Sequence, residues 1–87
     1  MNNQSKETNK LKKELQSFQP NKLIRIKGVS GLTNLSKSYI YQLCKEDLFP
    51  QSVQLVAGGT SVAWVESEVL DWIESRIQAR DEENANV

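Results

Sequence analysis

Apolar residues recur at helical spacing in four stretches of the chain, separated by residues that interrupt the pattern. In LKKELQSF, Leu11, Leu15 and Phe18 stand at i, i+4 and i+7, a short amphipathic pattern that stops near Pro20. Alone, a helix of this length is not stable in water. LIRI follows as a short extended segment, and Val29, Leu32 and Thr33 then give an inward stripe to a helix over about residues 27–33. Gly28 and Gly31 lie inside that helix and each costs about 1 kcal/mol there, so packing must hold it. Asn34 tolerates the left-handed conformation that ends a helix, Leu35 points back to the core, and Ser36 is a good N-cap for the next helix. That second helix, over about residues 36–47, carries Ile40, Leu43, Cys44 and at the margin Asp47 on one side. Ser38, Gln42 and Lys45 occupy the other side, with Tyr39 and Tyr41 on the flanks. Phe49-Pro50 forces extended backbone and is expected to end the helix near Leu48.

The period then changes. In VQLV and SVAWV, Val53, Leu55, Val62 and Trp64 alternate with small or polar residues, and the Gly-Gly pair of AGGT lies between the two runs. This is the pattern of a β-hairpin over residues 53–65. The fourth helical stretch covers about residues 66–80, with Glu66 and Glu68 placed well for the helix dipole and a stripe of Val69, Trp72, Ile73, Arg76 and Ile77. Trp64 and Trp72 are the expected core fillers. The fold class that follows is mainly α with a β-hairpin (α+β), in the order helix, turn, helix, hairpin, helix. A hairpin beside a helix-turn-helix is a winged helix-turn-helix. The expected organisation is an N-terminal extension at 1–22, disordered but for the short amphipathic stretch at 11–18, a domain at 23–80, and a disordered acidic tail at 81–87.

Size and composition narrow the chemistry. With 87 residues there is room for one small domain and none for a large catalytic cavity. Histidine is absent and there is one cysteine, which rules out histidine bases, His-based triads and the common zinc sites. No convergent pair of carboxylates or lysine offers a substitute, so no enzyme, metal or cofactor is expected. Cys44 lies on the inward stripe with no histidine to activate it and reads as a core residue. No apolar run is long enough for a membrane span, the N-terminus has no apolar signal region, and the expected location is the cytoplasm, at the bacterial nucleoid.

The formal net charge is zero, but it is unevenly spread. Residues 1–65 carry nine basic and four acidic side chains, and residues 66–87 carry two and seven. Such a chain can present one basic face, although a solvated acidic last helix accounts for the same split. In a helix-turn-helix the second helix enters the major groove of DNA, which favours polar or aromatic outer side chains, flanking cations and few acids. Residues 36–45 contain Lys37 and Lys45 and no Asp or Glu. Gln42 has the donor and acceptor that match adenine, Ser38 can do either, and Tyr39 and Tyr41 offer rings for thymine methyls or hydroxyls for phosphate. Lys37 and Lys45 would hold phosphates without reading sequence, and Ser36 and, earlier in the chain, Arg25 and Lys27 are further candidate DNA-binding residues. In the hairpin, Gly58, Gly59, Thr60 and Ser61 would let backbone N–H groups approach a phosphate. An outer face that is merely wet, and an ordinary Gly-Gly turn, explain the same residues.

LIRIKGVSGLTNLSKSYIYQL, then FP, then SVAWVESEVLDWIESRI together resemble the AlpA-type phage and prophage regulators, a branch of the MerR-like winged-helix proteins that includes excisionases. The resemblance spans about residues 23–80 and lies in the ordered recurrence of LTNLSKSYIY, FP and AWVESEVLDWI. It implies a sequence-specific double-stranded-DNA-binding transcriptional regulator of a phage or mobile element, or an excision factor that bends DNA for an integrase. It implies recognition through Lys37, Ser38, Tyr39, Tyr41 and Gln42 with wing support from Gly58 to Ser61, self-association on repeated sites, and integrase or transcription machinery as partners. The wing tip AGGTS carries no Arg or Lys where the family usually has one, and Gly28 and Gly31 replace better helix formers. A protein-interaction module built on the same fold is the alternative from another class.

Overall fold

A computed structural model describes residues 21–85. Among them lie six elements: β1 (Leu23–Ile24), α1 (Ile26–Thr33), α2 (Lys37–Lys45), β2 (Val53–Gln54), β3 (Val62–Val65) and α3 (Glu66–Ala85). The amphipathic stretch at 11–18 lies outside the described residues, as do residues 86 and 87.

The junction between α1 and α2 follows local chemistry. Asn34 takes the left-handed conformation at φ 62°, and its N–H donates to Ser30 O at 2.8 Å. The Ser30 hydroxyl donates to Leu35 O at 2.6 Å, while Thr33 Oγ1 donates to Val29 O and accepts from Leu35 N. Backbone groups freed at the end of α1 are thereby satisfied within the turn. Ser36 then caps α2, its hydroxyl accepting from Tyr39 N at 3.1 Å. Such a cap is worth about 1 kcal/mol over alanine.

α1 has no capping side chain and no acid in its first turn, so it is held by what it buries. Val29 is fully buried and Ile26 packs against the core, whereas Leu32, expected inside, is exposed on the side of α3. Within this helix Gly31 faces open space, so nothing there requires glycine. Gly31→Ala should therefore raise the unfolding free energy by about 0.8–1 kcal/mol, read as a higher urea midpoint at unchanged slope. A loss of stability on this substitution would contradict the packing described.

α2 ends earlier than expected and for a different reason. The helix stops at Lys45, and Asp47 adopts the left-handed conformation at φ 58°. Asp47 N–H donates to Cys44 O at 3.1 Å and Leu48 N–H to Leu43 O at 2.9 Å. These two bonds form a Schellman cap, with Asp47 in the position glycine usually fills. Asp47 is exposed, off the inward stripe.

The sheet has three strands in the order β1-β3-β2, all antiparallel, where a two-stranded hairpin was expected. Leu23 pairs with Val65 and Ile24 with Trp64 on one side of β3, while Val53 pairs with Ala63 and Gln54 with Val62 on the other. The extended LIRI segment thus supplies an edge strand, and β3 becomes central. Ala63 and Trp64, consecutive in β3, are both buried, because successive side chains point to opposite faces and both faces of this strand are covered. The burial alternation expected across the hairpin does not hold in its first arm, where Val53 in β2 and Leu55 just after it both stay exposed.

The core comprises Val29, Ile40, Phe49, Trp64 and Val69. Trp64 is 1% exposed and Trp72 is half-buried with its ring 4.7 Å from that of Phe49. Both indole N–H groups end on the loop after α2: Trp64 Nε1 donates to Pro50 O at 3.0 Å and Trp72 Nε1 to Leu48 O at 2.8 Å. That loop is therefore tied at once to the sheet and to α3. α3 runs through Asp81–Ala85, beyond the expected end at Arg80, since no proline or glycine interrupts residues that favour helix. Its start is tied to the residue before β1 by the Glu66 N–H to Lys22 O bond at 2.8 Å. The result is an α+β domain of three helices on a small antiparallel sheet, an arrangement compatible with a winged helix.

Candidate nucleic-acid interface

Burial of Ile40 orients α2. With Ile40 fully buried and Leu43 and Cys44 half-buried beneath the helix, Ser38, Tyr41, Gln42 and Lys45 share the opposite, exposed face at i, i+3, i+4 and i+7. Lys37 opens the helix beside its Ser36 cap, and both are exposed.

The two tyrosines serve opposite edges of this face. Tyr41 leans toward the sheet, its ring 5.9 Å from that of Trp64 at a tilt of 57°. Tyr39 stands at the other edge, where it lines a cleft of about 350 Å³ with Leu35, Leu43, Leu48, Trp72 and Arg76. In the sequence Arg76 falls within the helical stripe of Val69, Trp72, Ile73 and Ile77. The structure brings its guanidinium-bearing side chain to the cleft at the flank of α2. Arg25 and Lys27 are exposed at the first turn of α1, a helix away from the outer face of α2. Among the described residues, Lys37, Lys45, Arg25, Lys27 and Arg76 form no ion pair, while Lys22 lies 3.7 Å from Glu66 and Arg80 is paired with Asp81 at 2.8 Å. The cations on and around α2 are thus not already neutralised by carboxylates.

The hairpin tip is a tight turn. Gly59 N–H donates to Val56 O at 2.9 Å, and Gly58 takes φ 76°, which side chains rarely adopt. A Cβ on Gly59 would stand 3.2 Å from Val56 O, closer than carbon and oxygen comfortably approach. Gln54 Nε2 donates to Gly59 O at 2.7 Å and stiffens the tip. Thr60 and Ser61 are exposed, and Ser61 O is engaged by Leu55 N–H. Beside these polar positions the hairpin exposes Val53, Leu55 and Val56, the last at 62%, an apolar character that the expected alternation had hidden.

A carboxylate stands at the end of the outer face. The acid-free segment noted in the sequence stops at Lys45, one residue short of Glu46, whose Oε2 accepts from Gln42 Nε2 at 2.7 Å. The i, i+4 spacing of the two residues was the available signal for this pair.

Cys44 sits beneath α2 with Sγ 3.5 Å from Pro50 O. Burial pushes its thiol pKa up, an effect partly offset by the Trp64 indole N–H, so the thiol is less ionised at neutral pH than a free one. Among the described residues, no group of His, Cys, Asp and Glu is arranged to hold a metal ion, and no helix is long and apolar enough to cross a membrane.

A short helix displayed on its polar face, joined by a tight turn to the helix before it and flanked by a hairpin, defines a small α+β module of helix-turn-helix layout. The chain belongs to the family described as prophage CP4-57 regulatory protein (AlpA), whose model matches residues 22–77. It is also 42% identical over 59 residues to an uncharacterized protein, ORF88, of Enterobacteria phage P4. That similarity covers 68% of this chain and 65% of the phage protein, so the chain spans just under two thirds of its relative's length. No solved structure matches the chain.

Proposed function

We propose that this protein is a sequence-specific DNA-binding transcriptional regulator of a phage or mobile element, a winged helix-turn-helix that lays α2 in the major groove with the 53–65 hairpin as its wing. The observation that carries the reading is the exposed face of α2, where Ser38, Tyr41, Gln42 and Lys45 stand opposite a fully buried Ile40. Membership in a family of phage regulatory proteins supports it. Gln42 and Ser38 would read base edges, and Tyr39 and Tyr41 would take thymine methyls or phosphates from the two flanks. Ser36, Lys37, Lys45, Arg25, Lys27 and Arg76 would hold the backbone, and Gly58, Thr60 and Ser61 would offer wing N–H and hydroxyl groups, while Gly59, whose N–H is held in the turn by Val56 O, would shape the tip. An excision factor that bends DNA for an integrase would use the same surface. Copies bound side by side on repeated sites, and contacts with integrase or transcription machinery, belong to the same reading.

The test is selection of bound sites from random duplexes, followed by titration at several salt concentrations. With about four or five cations near phosphates, log K should fall against log salt with a slope of roughly −3 to −5. A salt-insensitive affinity would contradict this docking.

A second reading, a protein-interaction module, is favoured by one feature. Leu32, Tyr39, Leu48 and Ile77 are exposed along two adjoining clefts of about 300 and 350 Å³ between α1, α2 and α3, with Leu48 at 59% exposure. Absence of any gel shift with random DNA at low salt and micromolar protein would favour it.

A further inference from the structure

We propose that Glu46 is a specificity-determining residue, which acts through Gln42 to favour adenine over guanine at the base pair Gln42 reads. The inference rests on the DNA-binding reading above and concerns one hydrogen bond on the same face. Gln42 Nε2 donates to Glu46 Oε2 at 2.7 Å, one helical turn away, and both side chains are exposed.

A carboxylate only accepts hydrogen bonds, so the amide must turn its NH2 group toward Glu46 and cannot present its oxygen there. The pair therefore settles which way the Gln42 amide points. One N–H is committed to Glu46, and what remains is one N–H and the carbonyl oxygen. Those two groups match adenine, whose N7 accepts and whose N6 amino group donates. Guanine presents two acceptors in the major groove, N7 and O6, and would require both amide N–H groups. With Glu46 in place, Gln42 can meet guanine only by giving up a charge-assisted bond. The carboxylate also repels the guanine acceptors, while it attracts amino groups on adenine or cytosine.

The geometry separates this role from a merely repulsive one. A lone carboxylate near DNA weakens binding to all sequences alike. A carboxylate that orients Gln42 changes the preference at one base pair, and only while Gln42 is present. The side chain of Glu46 is exposed and its backbone does the capping, so its replacement leaves the fold intact.

The experiment selects sites from random duplexes with the full chain, locates the base pair whose preference Gln42→Ala relaxes, and measures affinities for adenine and guanine versions of that site. The wild type, Glu46→Ala, Glu46→Gln, Gln42→Ala and the Gln42→Ala/Glu46→Ala double variant are compared, with circular dichroism to verify folding. Glu46→Ala is expected to reduce the adenine-over-guanine ratio by about fivefold or more, since a bidentate base contact is worth that much or more in discrimination. Glu46→Gln, which can accept from Gln42 but can also flip, should fall between Glu46→Ala and the wild type. In the Gln42→Ala background, loss of Glu46 should leave the ratio unchanged. If Glu46→Ala raises affinity for both sites by the same factor, or alters the ratio equally with and without Gln42, the orienting role is overturned while the DNA-binding reading stands. If the wild type selects no sequence at all, the reading itself fails and the inference with it.

Discussion

Trp64→Ala is expected to lower the unfolding free energy by about 3–5 kcal/mol, the cost of emptying a large aromatic site in a packed core. Trp64 lies on the central strand, pairs with β1 through Ile24, meets the Tyr41 ring at a tilt and donates its indole N–H to Pro50 O. Its removal opens a cavity among Val29, Ile40, Phe49 and Val69 and leaves α2 without the ring that braces its sheet-side edge. A domain this small has only several kcal/mol of stability to lose, so the variant should be largely unfolded near room temperature. Urea unfolding followed by circular dichroism, and by the fluorescence of the remaining Trp72, measures the effect. Trp64→Phe retains much of the apolar volume but lacks the N–H, and should cost about 1–3 kcal/mol, since it leaves the Pro50 carbonyl without this donor. A loss below about 1 kcal/mol for Trp64→Ala would mean that the core is organised around other residues.

The second large effect is expected on DNA. Gln42→Ala should remove about 1–3 kcal/mol of discrimination at one base pair while nonspecific affinity changes little. Lys37→Ala should instead weaken specific and random duplexes by the same factor and reduce the salt slope by about one. The difference follows from placement. Gln42 stands in the middle of the exposed face of α2, whereas Lys37 opens the helix beside its cap and makes no ion pair among the described residues. A lysine ammonium beside the cap can position the helix on phosphate, which carries no sequence, while the Gln42 amide has the donor and acceptor that pair with a base edge. Binding curves with a selected site and a scrambled one, at two salt concentrations, separate the two roles. Equal effects of both substitutions on both duplexes would reject the division.

The parts of this structure that local chemistry decides were legible in the sequence. Asn34 and Ser36 were expected to end one helix and begin the next, and they do so through their own backbone conformation and hydroxyl. Ile40 and Val69 were expected inside from helical periodicity alone, and both are fully buried. The features that were not legible depend on partners distant in the chain. β1 has only two residues, and its pairing with β3 gives no periodic signal of its own. Leu32 has the spacing of a core residue, but the cleft beside α3 leaves it exposed. Asp47 ends α2 by taking a conformation usual for glycine, which its residue type only weakly suggests. At the candidate interface, the outer face of α2 could be assigned residue by residue, because one buried stripe determines the face opposite it. Arg76 could not, since only the tertiary fold brings α3 to the flank of α2. Glu46 was legible in principle and was missed because the acid-free window was closed at Lys45.

The most direct test follows backbone amide signals during titration with an oligonucleotide selected by the protein. The account predicts that signals of residues 37–45 move most, those of residues 57–61 move less, and those of Leu32 and Ile77 in the cleft between α1 and α3 remain in place. If signals of residues 37–45 stay still while the oligonucleotide binds, α2 does not enter the groove and the account is contradicted.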